Sequence, residues 1–201
     1  MISVVLWVFI AYLFGSLPTG FVITKLVKGI DIREHGSGNP GATNVNRTIG
    51  PAWGTLTFVI DILKGFIPVF LAAKFIGSGP LLLLVALAAV AGHMWTVFLN
   101  FQGGKGVATS AGIFFALLPL PTACAFVIFT AIVAATGYVS LGSMLAAISL
   151  TVIAFLTKQP LFLSVFALAV CLLIIFKHRP NIGRLLNGVE ANLYKKKEQK
   201  Q

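Results

Sequence analysis

Residues 80–100, PLLLLVALAAVAGHMWTVFLN, contain no Asp, Glu, Lys or Arg. A helix of about 20 such residues crosses a hydrocarbon layer of about 30 Å. Outward from this stretch, apolar runs recur along nearly the whole chain, at roughly 3 to 28, 52 to 75, 106 to 118, 121 to 137, 142 to 157 and 161 to 177. Hydrophobic residues make up 58% of the 201 and charged ones 10%, against about 25% charged in a soluble domain. The expected fold class is therefore all-α: a polytopic integral membrane helical bundle of about seven transmembrane helices, in a single membrane-embedded domain over residues 1–201. The fourth, fifth and sixth helices in chain order are short for a crossing, so a five-span arrangement with residues 106–137 partly re-entrant is the alternative. No length remains for a separate globular domain.

The cations test this arrangement. The chain meets its first ones, Lys25 and Lys28, only after an apolar run, the reverse of the charge order in a cleaved signal peptide. The first span is thus expected to be retained with its N-terminus outside and the C-terminus cytoplasmic. Alternating seven spans then places Lys25, Lys28, Arg33, Arg47, Lys105, Lys177, Arg179, Arg184, Lys195, Lys196, Lys197 and Lys200 in the cytoplasm. Only Lys74 and Lys158 fall outside, as the positive-inside rule requires. The Lys195-Lys196-Lys197 tail is expected to sit among anionic headgroups, so membrane lipids are a partner. Cys124 and Cys171 lie in apolar runs and read as small buried hydrophobes, without a disulfide or metal role.

Polar residues concentrate in three cytoplasmic motif segments, 36–47, 103–110 and 178–190. Gly36-Ser37-Gly38-Asn39-Pro40-Gly41-Ala42-Thr43-Asn44, with Arg47 beyond, is a poor span and a good anion cradle, because glycines at positive φ can aim successive N–H groups at one point. Gly103-Gly104-Lys105-Gly106-Val107-Ala108-Thr109-Ser110 runs into a helix at Val107, whose N-terminal amides can join Lys105 in holding an anion. It is not a nucleotide-binding P-loop, since Leu99 stands at the first glycine position and Gly106 follows the lysine. With His178-Arg179-Pro180-Asn181-Ile182-Gly183-Arg184-Leu185 and Glu190, these segments lie on one face and offer Arg47, Lys105, Arg179 and Arg184 to more than one phosphate.

Other polar residues are read more plainly. Asp61 and Lys64 share a helix face three residues apart and are expected to pair. His93 reads as a satisfied interior histidine and His35 as a surface residue. Ser143 is expected to begin a helix after the Gly137–Gly142 turn, as its cap or as a group reaching the cytoplasmic site. Absences narrow the chemistry. No His-x4-Asp pair exists, because Pro40, Phe98 and Gly183 occupy the partner positions, so the dyad of acyl-CoA-dependent glycerolipid acyltransferases is missing. Asp31 and Asp61 are the only aspartates, which excludes the aspartate cluster of CDP-alcohol phosphotransferases. No metal site, no cofactor and no nucleic-acid partner are expected.

These motifs resemble one family. Gly36–Asn44 with Arg47, Gly103–Thr109, and His178-x-x-Asn181-Ile182-x-Arg184-Leu185 with Glu190 are similar to the bacterial acyl-phosphate:glycerol-3-phosphate acyltransferases, the PlsY family. Gly15–Gly20, Asp61-x-x-Lys64-Gly65, Gly92-His93 and Ser140–Ser143 extend the resemblance along essentially the whole chain, with departures at Thr96 and Gln102. The resemblance implies an enzyme of the bacterial inner membrane that moves a fatty acyl group from acyl phosphate to the 1-hydroxyl of glycerol 3-phosphate. Lysophosphatidic acid and phosphate are the products, and a soluble phosphate:acyl-carrier acyltransferase would supply the donor. An acyl phosphate is a mixed anhydride with a good leaving group, so direct attack without an acyl-enzyme is expected. The base is either the donor's own phosphate or His178.

His178 and Ser143 are the candidate catalytic residues, positioning the reacting groups. The amides of Ser37, Gly38 and Asn39, assisted by Thr43, are expected to bind one phosphate, and Arg47, Lys105 and Asn181 the other, with Glu190 orienting a cation or an acceptor hydroxyl. A transporter or channel for a phosphorylated anion is the competing class. The lack of internal repeats and the crowding of polar residues onto one face count against it.

Overall fold

The computed structural model describes residues 2–194. The Lys195–Lys197 tail and Lys200 lie outside the described residues. Among the described residues all regular structure is helical, in ten α-helices: α1 Ile2–Ser16, α2 Thr19–Lys28, α3 Ala42–Ile49, α4 Pro51–Ile76, α5 Leu82–Met94, α6 Val107–Leu117, α7 Pro119–Thr136, α8 Val139–Leu156, α9 Leu161–Lys177 and α10 Arg179–Leu186. Short 3-10 turns occupy Ile32–Glu34 and Val97–Leu99. Many large apolar side chains on the long helices face outward, Phe9, Val127, Leu161 and Leu172 among them, as they would against lipid.

Five stretches are long and apolar enough to cross a membrane: Ser3–Lys28, Pro51–Ile76, Leu82–Leu99, Pro119–Thr136 and Val139–Leu156. A sixth is added if α9 and α10, bent by 57° at His178, count as one crossing. The stretch expected as a fourth span is α6, an apolar helix of 11 residues. At 1.5 Å per residue it is about 16 Å long, half the hydrocarbon thickness.

The chain divides into two compact units, Met1–Pro119 and Leu120–Gln201. In the first, α4 is the centrepiece, touching α1, α2, α3, α5 and α6. The first span is not one straight helix. Pro18 has no N–H and its ring obstructs the carbonyl four residues back, so α1 stops at Ser16 and α2 restarts at Thr19. Close helix contacts rest on glycine: a Cβ on Gly92 of α5 would strike the Tyr12 carbonyl of α1, and one on Gly65 of α4 the Thr109 carbonyl of α6.

In the second unit α8 packs on α9 and Gly142 lies against Val133 and Phe129 of α7. The α7–α8 turn passes through Gly137 at φ 72°. Residues 190–194 then fold back over the end of α7. Leu193 N donates to Gly137 O, Asn192 Nδ2 to Thr136 O and Tyr194 Oη to Ala134 O. Both cysteines are free, with Cys171 buried as expected and Cys124 only half-buried.

Candidate functional site

The first motif is a turn wired together by one side chain. Gly36 and Gly38 take positive φ, 62° and 70°, as the glycine pattern requires. The buried Asn44 carboxamide sits under them: its Nδ2 donates to His35 O at 2.9 Å, and its Oδ1 accepts from Ser37 N at 2.9 Å. Gly38 N donates to His35 O. Two of the three amides expected to face a phosphate thus already donate inside the loop, and an anion taking them must displace Asn44 Oδ1 and His35 O. Ser37 and Gly38 are exposed, Asn39 and Thr43 half-exposed. Arg47 occupies the last turn of α3, which starts at Ala42. His35 is exposed, and its Nδ1 lies 2.9 Å from Asp31 O. Asp31 is held below the usual carboxylate range by its hydrogen bonds from Arg33, 2.6 Å at the shortest.

The second motif lies directly against the end of α5. Gly104 N donates to His93 O at 3.0 Å, and a Cβ on Gly104 would run into the His93 ring. Half-buried Lys105 follows, then Gly106 in the left-handed region at φ 82°, then α6. Next to this segment is a cleft, with room for about 10 Å³ of solvent, lined by Ser16, Lys64, Asp61, His93, Thr96 and Gly104 among others. Asp61 and Lys64 pair at 2.7 Å as expected, both nearly fully buried. Lys64 Nζ also donates to Leu17 O at 2.8 Å, a carbonyl left at the break in the first span. His93 is an interior residue, as expected. It lies 3.9 Å from Asp61 and in direct contact with the second motif.

The third motif, in the second unit, is organised by Glu190. Its side chain is 2% exposed, and the carboxylate accepts from Ser140 Oγ at 2.8 Å, Asn181 Nδ2 at 2.7 Å and Arg184 Nε at 2.6 Å. Burial alone would push its pKa up. The hydrogen bonds from Asn181, Ser140 and Arg184, with the Arg184 charge, outweigh that and hold the carboxyl below the ordinary range. Glu190 thus holds the Arg184 guanidinium and the Asn181 amide. Ser140, which sequence reasoning did not place in the site, is the third donor.

His178 is buried at the α9–α10 bend, its Nδ1 2.8 Å from Ile174 O. A carbonyl can only accept, so Nδ1 carries the proton and in the neutral ring Nε2 has the lone pair. Ser143 is not a cap. It lies one turn inside α8, whose N-cap is Tyr138, and its hydroxyl donates to Val139 O at 2.8 Å. The helix begins earlier than expected: Gly137 turns the chain at φ 72°, Tyr138 N donates to Thr136 Oγ1, and α8 starts at Val139.

An all-helical fold among the described residues, with five or six apolar stretches long enough to cross a membrane, defines an integral membrane protein. The family model described as glycerol-3-phosphate acyltransferase matches residues 5–188. A relative from Endomicrobium trichonymphae, named glycerol-3-phosphate acyltransferase, is 45% identical across 98% of this chain and 100% of its own. The crystal structure of PlsY (YgiH), an integral membrane glycerol 3-phosphate acyltransferase, in its glycerol 3-phosphate form matches with a TM-score of 0.91 at 45% identity, covering 94% of this chain and 95% of that one. Its lysophosphatidic acid form gives a TM-score of 0.88 at 44% identity, with coverage of 94% and 95%. The chain belongs to the glycerol-3-phosphate acyltransferase family and is an integral membrane acyltransferase.

Proposed function

We propose that this enzyme transfers a fatty acyl group from acyl phosphate to the 1-hydroxyl of glycerol 3-phosphate. The new bond joins the hydroxyl oxygen to the acyl carbon, the bond from that carbon to the phosphate oxygen breaks, and the hydroxyl proton leaves with inorganic phosphate. The observation that carries this function is the Glu190 hub. A buried carboxylate saturated by Ser140, Asn181 and Arg184 is a fixed scaffold that holds an amide and a guanidinium in place, the groups that recognise a phosphate. The solved relative's two forms, with glycerol 3-phosphate and with lysophosphatidic acid, match the acceptor and the product.

In the first unit we assign Arg47 and Lys105 to substrate phosphate, with Ser37, Gly38, Asn39 and Thr43 forming the exposed anion-facing turn. In the second, Asn181 contacts phosphate, and His178 and Ser143 position the reacting groups. His178 Nε2 can accept the hydroxyl proton, or the donor's phosphate takes it directly. Neither cysteine lies in a motif, which supports direct transfer without a thioester. The same assignment places the protein in the bacterial inner membrane with the three motifs and the C-terminus cytoplasmic, α6 serving as a short seventh membrane helix and residues 1–201 acting as one catalytic domain. A soluble phosphate acyltransferase would supply the donor.

Purified protein given palmitoyl phosphate and glycerol 3-phosphate is expected to form lysophosphatidic acid, with little product from palmitoyl-CoA. A preference for the CoA donor would overturn the assignment.

A further inference from the structure

The phosphate-binding assignments leave the cleft of the first unit unused. Its three titratable residues, Asp61, Lys64 and His93, form a chain from the break in the first span to the second motif. Lys64 Nζ donates to Leu17 O at 2.8 Å and meets Asp61 Oδ1 at 2.7 Å. Asp61 Oδ1 lies 3.9 Å from His93 Nδ1, a near approach beyond hydrogen-bond distance. The His93 ring packs on Gly104, and the His93 carbonyl accepts from Gly104 N at 3.0 Å. At Gly103, too, a Cβ would strike the His93 carbonyl and the Met94 backbone. Two consecutive glycines therefore let the chain cross the end of α5 in van der Waals contact, and the next residue is Lys105. A shift of the His93 ring cannot be absorbed by a flexible side chain on the loop, because the loop has none there.

We propose that Asp61, Lys64 and His93 are positioning residues for acyl transfer: they fix the backbone at Gly103–Gly104 and thereby set the reach of Lys105 to an anionic substrate. The inference rests on the assignment of Lys105 to a substrate phosphate. Asp61 sets the place of the His93 ring, and Lys64 anchors Asp61 by bridging it to the Leu17 carbonyl. None of the three touches substrate.

The test uses the full-length protein in detergent or nanodiscs, with KM and kcat measured for both phosphate substrates. Lys105→Ala is expected to raise one of the two KM values. Asp61→Asn and, separately, Gly104→Ala should raise the same KM about tenfold with a smaller change in kcat, as for a binding group held out of place. In the Lys105→Ala background Asp61→Asn should add nothing to that KM, because the group it positions is gone.

The Asp61→Asn, Lys64→Met double variant removes both charges. It should regain much of the thermal stability lost in Asp61→Asn, while its KM stays raised. A KM that recovers together with stability would overturn the proposal, as would an additional KM increase from Asp61→Asn on top of Lys105→Ala. If Asp61→Asn does not fold, Gly104→Ala decides, and a wild-type KM there overturns it. Lys105→Ala with wild-type KM values would sink the Lys105 assignment and the proposal together. An impaired Lys105→Ala beside an unimpaired Asp61→Asn would sink the proposal alone.

Discussion

Asp61 in the first unit and Glu190 in the second are both carboxylates almost sealed from solvent beside a basic residue, yet they are satisfied differently. Asp61 pairs with a lysine on its own helix, and both partners are buried to within 4% of complete. Glu190 lies at the end of the chain's fold-back and draws donors from α8, from α10 and from a guanidinium that is 38% exposed. A buried pair repays its desolvation only with good geometry and further hydrogen bonds. Glu190 has those bonds in number, while at the Asp61 pair the further bond is made by Lys64 to a backbone carbonyl. Removing one partner is therefore expected to cost more in the first unit than in the second.

The largest effect should come from Lys64→Met, which leaves the Asp61 charge buried alone and takes the donor from Leu17 O. Thermal unfolding in detergent should show a loss of about 3–5 kcal/mol, and an unchanged midpoint would break the contrast. Glu190→Gln keeps the shape and removes charge from three hydrogen bonds. It should cost about 1.5–3 kcal/mol, visible as faster hydrogen exchange in residues 190–194, with acyl transfer reduced.

A pH titration sharpens the same point. The Glu190 carboxyl is held below its ordinary value of 4.5, so its contribution is complete above that value and lost as pH falls through the lower folded value. Exchange protection of residues 190–194 should persist at about pH 4.5 and fail below it, whereas Glu190→Gln should respond little over that range. The smallest effect belongs to the accessible Asp31–Arg33 pair, whose side chains are 20% and 31% exposed. Asp31→Asn should cost under about 1 kcal/mol, and a larger loss would mean that the pair organises the loop leading to Gly36.

Much of this was legible in local sequence. Apolar runs marked the crossings, the Asp61–Lys64 spacing gave their pairing, and the glycines at 36 and 38 forecast left-handed turns. The break at Pro18 was equally local, but a continuous hydropathy signal masks it. What escaped were contacts between residues far apart in the chain. Nothing near Gly104 announces that the His93 ring lies against it, and Ser140 meets Glu190 across 50 positions. The Asn44 carboxamide that fills the first motif's turn could have been anticipated, since a buried Asn beside two positive-φ glycines is a natural partner for loop amides. The cap reading of Ser143 failed because the turn at Gly137, helped by the Thr136 hydroxyl, lets α8 start at Val139.

The interruption at Leu17–Pro18 has a mechanical meaning. α1 is packed on α5 and α4, whereas α2 is packed on α4, α3 and the Ile32–Glu34 turn. Beyond the joint, Gly20 lies so close to the Pro40 carbonyl that no side chain fits between them. The first motif loop therefore bears on α4 both directly through α3 and by way of α2, with the Lys64–Leu17 bond tying α4 to the joint. One membrane crossing thus works as two members, a strut braced against α5 and a bracket that carries the loop.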